Sequence, residues 1–188
     1  MSNHLPASFR SLYRLYLRTS SASVLHQRQA KKNLAQRWRP IFDAGANVVR
    51  ELQNKPKDAS PAWVQSREEW LKVWNKRLDN TLQLLYTSSQ SRGLPHRITR
   101  NLGFMVANGK DRALTKLVKL PKWDPQKKTP PTSKELVRME ARRKEEEFHD
   151  NASKALDEVM RFAESYGPGL TLGRYTPTIR RVARRTDN

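Results

Sequence analysis

Apolar residues recur along this chain at helical spacing in three successive stretches. Phe9, Leu12, Tyr13, Tyr16 and Leu17 stand at i, i+3, i+4, i+7 and i+8, which predicts a first helix over about 6–19. Arg10, Arg14 and Arg18 occupy a second face of it. Serines 20, 21 and 23 read as a short capping turn. Leu34, Trp38, Ile41, Phe42, Val49 and Leu52 predict a second helix over about 23–54, with Pro40 expected to kink or divide it. Trp63, Trp70, Trp74, Leu78, Leu82 and Leu85 form the stripe of a third. It begins at Pro61 behind the cap Ser60 and ends in 88–93. Leu12, Leu17, Leu34, Trp38, Phe42, Trp70, Trp74, Leu78 and Leu82 are the predicted inward positions.

The pattern then changes. Residues 94–128 carry nine Lys and Arg against Asp111 and Asp124, and suggest two short helices around an Asn108-Gly109 turn. A Pro- and Lys-rich linker follows at 124–131. A long polar helix is predicted over 133–166, capped by Ser133, stopped by Gly167 and solvent-exposed at its charged centre. Residues 167–188 read as an irregular, arginine-rich tail that orders only against a partner. The expected fold class is all-α: a three-helix bundle in 1–93, a basic extension and linker in 94–132, the long helix in 133–166 and the basic tail in 167–188.

Charge sharpens this outline. The 188 residues hold 37 Lys and Arg against 18 Asp and Glu, a net +19, and only 36% are hydrophobic. A balance so basic exceeds what solubility needs and predicts a polyanionic partner. The first acid in the chain is Asp43, so the amphipathic N-terminus has the composition of a mitochondrial targeting segment and predicts the mitochondrial matrix. No apolar run is long enough to span a bilayer, and no secretory signal is expected.

Candidate chemistry is sparse. Cysteine is absent, which excludes disulfides, thiol catalysis and thiolate-bound metal. His4, His26, His96 and His149 show no metal-ligand spacing. There is no P-loop, dinucleotide fingerprint or nucleophile elbow. The carboxylates concentrate on the polar helix, so no catalytic residue, no metal and no cofactor of its own are expected, and the protein is read as a non-enzyme.

Leu12-Tyr13-Arg14, within "SLYRLYLR", resembles the signature of the mitochondrial LYR-motif family (complex 1 LYR-like). The resemblance spans about 6–92. The motif opens an amphipathic helix, Leu17 and Arg18 follow in register, and Phe42 lies near the family's phenylalanine on its second helix. It implies a helical bundle that binds the mitochondrial acyl carrier protein, with the carrier's acyl-4'-phosphopantetheine entering the bundle. It places Phe9, Leu12, Tyr16 and Leu17 along a core or acyl tunnel, assigns Arg14, Arg18, Arg37 and Arg39 to the carrier's acids and phosphate, and adds Tyr13 and Phe42 to the carrier- and acyl-phosphopantetheine-binding set.

The remaining charge divides the function classes. The first reading is a mitochondrial ribosome subunit or assembly factor. Its RNA contacts would come from Arg97, Arg100, Lys110, Arg112, Lys116, Lys119, Lys122, Lys127 and Lys128, and from Arg180, Arg181, Arg184 and Arg185 in the tail. The alternative is an accessory subunit or assembly factor of a respiratory complex, including iron–sulfur protein maturation, with the extensions lying on protein or anionic lipid. A basic helical nucleic-acid binder with an accidental LYR tripeptide is a third reading.

Overall fold

The computed structural model describes residues 4–56, 60–118, 132–166 and 169–175. They form five helices and, among the described residues, no strand: α1 (Ala7–Ser23), α2 (Arg28–Gln53), α3 (Pro61–Gln90), α4 (Leu94–Val118) and α5 (Ser133–Ser165). The fold is all-α, as expected. Two compact units result, one containing α1–α4 with 169–175 and the other containing α5.

The first unit is a four-helix rather than a three-helix bundle, because α4 packs on both α2 and α3. It is one helix through Asn108-Gly109, not two short ones. Leu102 and Val106 are buried, and Gly103 lies against Leu34, so packing overrides the local turn preference.

The serines after α1 do not form a turn. Ser20, Ser21 and Ser23 are buried within the helix. The Ser20 hydroxyl donates to the Leu17 carbonyl (3.1 Å) and that of Ser23 to the Ser20 carbonyl (2.8 Å), so both hydroxyls are satisfied inside α1. Their small volume continues the inward row Phe9, Tyr13, Tyr16 at 4-3-4-3 spacing. It also lets Ser88 of α3 and His96 of α4 reach the Ser23 carbonyl, at 3.4 and 2.9 Å.

α2 starts at Arg28, later than expected, because Leu25 and His26 take left-handed φ values of 56° and 60° and turn the chain. Pro40 lies inside α2 without ending it. The buried Leu34, Trp38 and Phe42 flank it, and packing on both sides holds the helix together.

α3 begins as predicted: Ser60 Oγ accepts from the Trp63 N–H at 3.2 Å, with Pro61 in the first turn. Its buried row is Trp74, Leu78, Thr81, Leu85 and Ser88. Trp70 stands outside that row at 41% exposure, which corrects the inward assignment. Leu12, Leu17 and Leu82 are half-buried.

α5 is capped by Thr132, one residue before the expected Ser133. A capping box closes its first turn, with the Thr132 N–H donating to Glu135 Oε2 at 2.9 Å. Its charged centre is exposed, as predicted.

Candidate functional site

An aromatic cluster ties α1 to α2 and α3. Phe9 stacks on Trp74 (5.6 Å between centroids), and Tyr13 meets Phe42 edge-on (4.9 Å). Tyr16 packs between Trp38 (5.9 Å) and Phe42 (5.0 Å). Such pairs stabilise by about 0.5–1.5 kcal/mol each beyond area burial. Tyr16 is fully buried, and its hydroxyl donates to the Leu34 carbonyl at 3.3 Å. Burial drives its pKa well above the ordinary tyrosine value, and Tyr13 beside it adds to the shift; the Ser20 hydroxyl and Arg37 oppose it.

The assigned carrier-facing residues separate into three groups. Leu12, Tyr13 and Leu17 are half-buried along α1, and Phe42 is buried beneath Tyr13. Arg14 and Arg18 are exposed one turn apart, with Arg10 extending the row, and among the described residues no ion pair holds any of the three. Arg39 is also exposed, 3.8 Å from Asp43.

Arg37 is the correction. It is only 3% exposed, and its Nε donates to the Leu172 carbonyl at 2.6 Å. It therefore belongs to the core, and its guanidinium is engaged by the chain's own backbone.

That contact belongs to a seam in which 169–175 packs on α2 and α3. Trp38 Nε1 donates to the Thr171 carbonyl (3.0 Å), and the Thr171 N–H donates to Thr81 Oγ1 (3.0 Å). Asn80 Nδ2 donates to the Gly169 carbonyl (2.7 Å), and the Arg174 N–H to the Arg37 carbonyl (2.9 Å). This part of the tail is ordered by its own bundle, which overturns the expectation that all of 167–188 waits for a partner. The signal in the sequence was slight: Thr81, a polar residue in register with Trp74 and Leu78.

Of the residues assigned to RNA, Arg97, Arg100 and Arg112 are exposed on α4. Lys110 is half-buried, with Nζ donating to Asn33 Oδ1 at 2.7 Å. Burial lowers its pKa, Lys32 adds repulsion, and Asp111 partly offsets both. α2 and α4 are packed neighbours, so exposed Arg28, Lys31 and Lys32 of α2 belong to the same unit as these cations. Lys116 lies in α4, but its side chain is outside the described residues. Lys119, Lys122, Lys127, Lys128, Arg180, Arg181, Arg184 and Arg185 also lie outside them.

Among the described residues, no group of three or more His, Asp or Glu could hold a metal ion, and no helix is long and apolar enough to cross a membrane. No family model, curated protein or solved structure matches the chain.

Proposed function

We propose that this protein is a non-enzymatic mitochondrial adapter of the LYR-motif type. It binds the matrix acyl carrier protein through α1 and associates with the mitochondrial ribosome through its basic segments. The observation that carries the reading is the row Arg10, Arg14 and Arg18. Three cations stand at i, i+4 and i+8, exposed and without ion-pair partners among the described residues, beside the half-buried Leu12, Tyr13 and Leu17. Unpaired cations beside half-buried apolar residues suit a partner with an acidic helix and an acyl chain. The cations of α2 and α4, with the arginines beyond residue 175, supply positions for phosphate contacts that orient without reading bases.

The test is purification from mitochondria followed by sedimentation. Acyl carrier protein should co-purify, and the complex should run with ribosomal particles. Truncation after Tyr175 should weaken that association and leave carrier binding intact. Truncation after residue 166 is a poor test, because it also strips the seam over Trp38 and Arg37. Association through RNA should weaken steeply with salt.

A respiratory-complex role is the second reading, favoured by one feature of α5. Phe148, Ala152, Ala155, Val159, Phe162 and Tyr166 follow 4-3-4-3-4 spacing and are all exposed. An apolar seam of that kind suits a helical protein partner rather than RNA. Sedimentation with respiratory complexes would select this reading.

A further inference from the structure

A small cavity lies where the corner between α1 and α2 meets the turn between α3 and α4. It measures about 120 Å³ and is lined by Val24, Leu25, Gln27, Arg92, His96 and Arg100. That volume holds several water molecules, and so a five-atom tetrahedral anion. Its polar lining is two guanidiniums, an imidazole and an amide, with no carboxylate.

His96 gives the cavity its chemistry. The residue is only 7% exposed, and its Nδ1 lies 2.9 Å from the Ser23 carbonyl oxygen. A carbonyl can only accept, so Nδ1 carries a hydrogen. Nε2 is thereby left as the ring's second polar atom, with no hydrogen-bond partner among the described residues, on a side chain that lines the cavity. The ring is also held in place, since Ser23 is buried. Among the described residues Arg92 forms no ion pair, and the Arg100 guanidinium lies over the Phe104 ring at 5.5 Å.

The cavity also touches the start of α2 through Gln27. Gln27 is its N-cap residue and makes no side-chain cap bond. The Lys31 N–H takes the Gln27 carbonyl as the first helical bond, so the amides of Arg28, Gln29 and Ala30 have no acceptor within α2. Free amides and the positive end of a helix favour an anion.

We propose that this cavity binds a phosphomonoester group. Arg92 and Arg100 would take its oxygens by charge-assisted hydrogen bonds, and Nε2 of His96 would share its proton. The proton balance gives the specificity. A phosphate monoanion carries a P–OH that can donate to Nε2, the ring atom left over once Nδ1 donates to the Ser23 carbonyl. Sulfate and phosphodiesters bring no such proton at neutral pH. The site does not depend on the carrier reading, since none of its side chains belongs to the α1 arginine row; with the ribosome reading it shares only Arg100 of α4.

Calorimetric titration of the full-length protein tests it, with inorganic phosphate and with sulfate at one ionic strength. Phosphate should bind one-to-one, with sulfate at least about tenfold weaker. Arg92 and Arg100 are exposed, so R92A/R100A should keep the fold and lose at least about tenfold in phosphate affinity. His96→Asn keeps a donor for the Ser23 carbonyl and removes Nε2, so it should abolish the preference over sulfate. A short RNA with a 5'-phosphate, compared with the same RNA ending in a 5'-hydroxyl, separates the two sources. Tighter binding of the phosphorylated end assigns the site to a chain terminus. Equal binding, with inorganic phosphate still saturating, assigns it to free phosphate. Absence of saturable phosphate binding, or an R92A/R100A protein that titrates like the wild type, overturns the site. Equal affinity for sulfate overturns the monoester assignment.

Discussion

Gly173 is seated directly against Arg37. Its φ is +76°, and a Cβ there would lie 2.7 Å from the Arg37 side chain and 3.0 Å from its carbonyl oxygen. Alanine in left-handed backbone costs about 1–2 kcal/mol before any clash. Gly173→Ala should therefore release the 169–175 segment rather than unfold the bundle. Hydrogen exchange reads this directly. The amides of Thr171 and Arg174 should lose protection, while those at the centre of α3 keep theirs. Unchanged protection at Arg174 would refute the seam.

Gly45 and Trp74 give a sharper test of packing. Trp74 donates from Nε1 to the Ile41 carbonyl at 3.1 Å, and its indole lies where a Gly45 Cβ would be, 2.6 Å from the nearest ring carbon. Helix propensity alone would make Gly45→Ala stabilising by about 1 kcal/mol. The collision should win and turn the change into a loss of about 1–3 kcal/mol. Trp74→Ala should cost about 3–5 kcal/mol by itself. In that background Gly45→Ala should recover stability, because the obstacle has gone. Denaturant unfolding of the four proteins gives the coupling. Simple additivity would contradict the contact.

Tyr16 predicts a response to alkali. Its folded pKa is raised mainly by burial, above the unfolded value of 10.0. Well below pH 10 it is neutral in both states, and its contribution to stability is fully present. As pH rises past that value, the unfolded chain releases a proton that the folded chain retains. Stability then falls by up to about 1.4 kcal/mol per pH unit until the folded pKa is reached. Tyr16→Phe should unfold with a shallower alkaline slope than the wild type when urea midpoints are compared over about pH 9 to 11. Tyr175 shifts in the same direction and remains in both proteins, so the difference isolates Tyr16. Identical slopes would mean that Tyr16 titrates freely.

Much of the bundle was legible because its signals are local. Ser60-Pro61 marks the start of α3, and the spacing of Phe9, Tyr13 and Tyr16 marks the inner face of α1. The misreadings share a physical origin in long-range packing. Ser20 and Ser23 look like turn residues until α3 and α4 are seen to need their small volume. Asn108-Gly109 looks like a turn until Leu102 and Val106 anchor α4. Arg37 looks like surface charge, because the carbonyl that buries it lies 135 residues later. At the candidate site, exposure of Arg14 and Arg18 followed from the amphipathic pattern, whereas burial of Arg37 was decided by Leu172. The cavity at His96 joins two segments about 65 residues apart, 24–27 and 92–100, and neither displays it alone.

The arginine row of α1 carries the remaining prediction. Arg14 and Arg18 are exposed and hold no acid among the described residues, so their charges contribute little to folding. Reversing both to Glu should leave the melting temperature within a few degrees of the wild type. Against an acidic carrier helix the same change replaces two attractions with two repulsions. Co-purification of acyl carrier protein should then be lost, with the association rate falling more than tenfold at low salt and less at high salt. Arg37→Ala should behave in the opposite way. It removes the donor to the Leu172 carbonyl and leaves a void in the core, so stability falls while the carrier-facing row stays in place. A double Glu protein that kept its carrier would remove the support for a partner on this face of α1. An Arg37→Ala protein that lost the carrier without losing stability would return Arg37 to the binding surface.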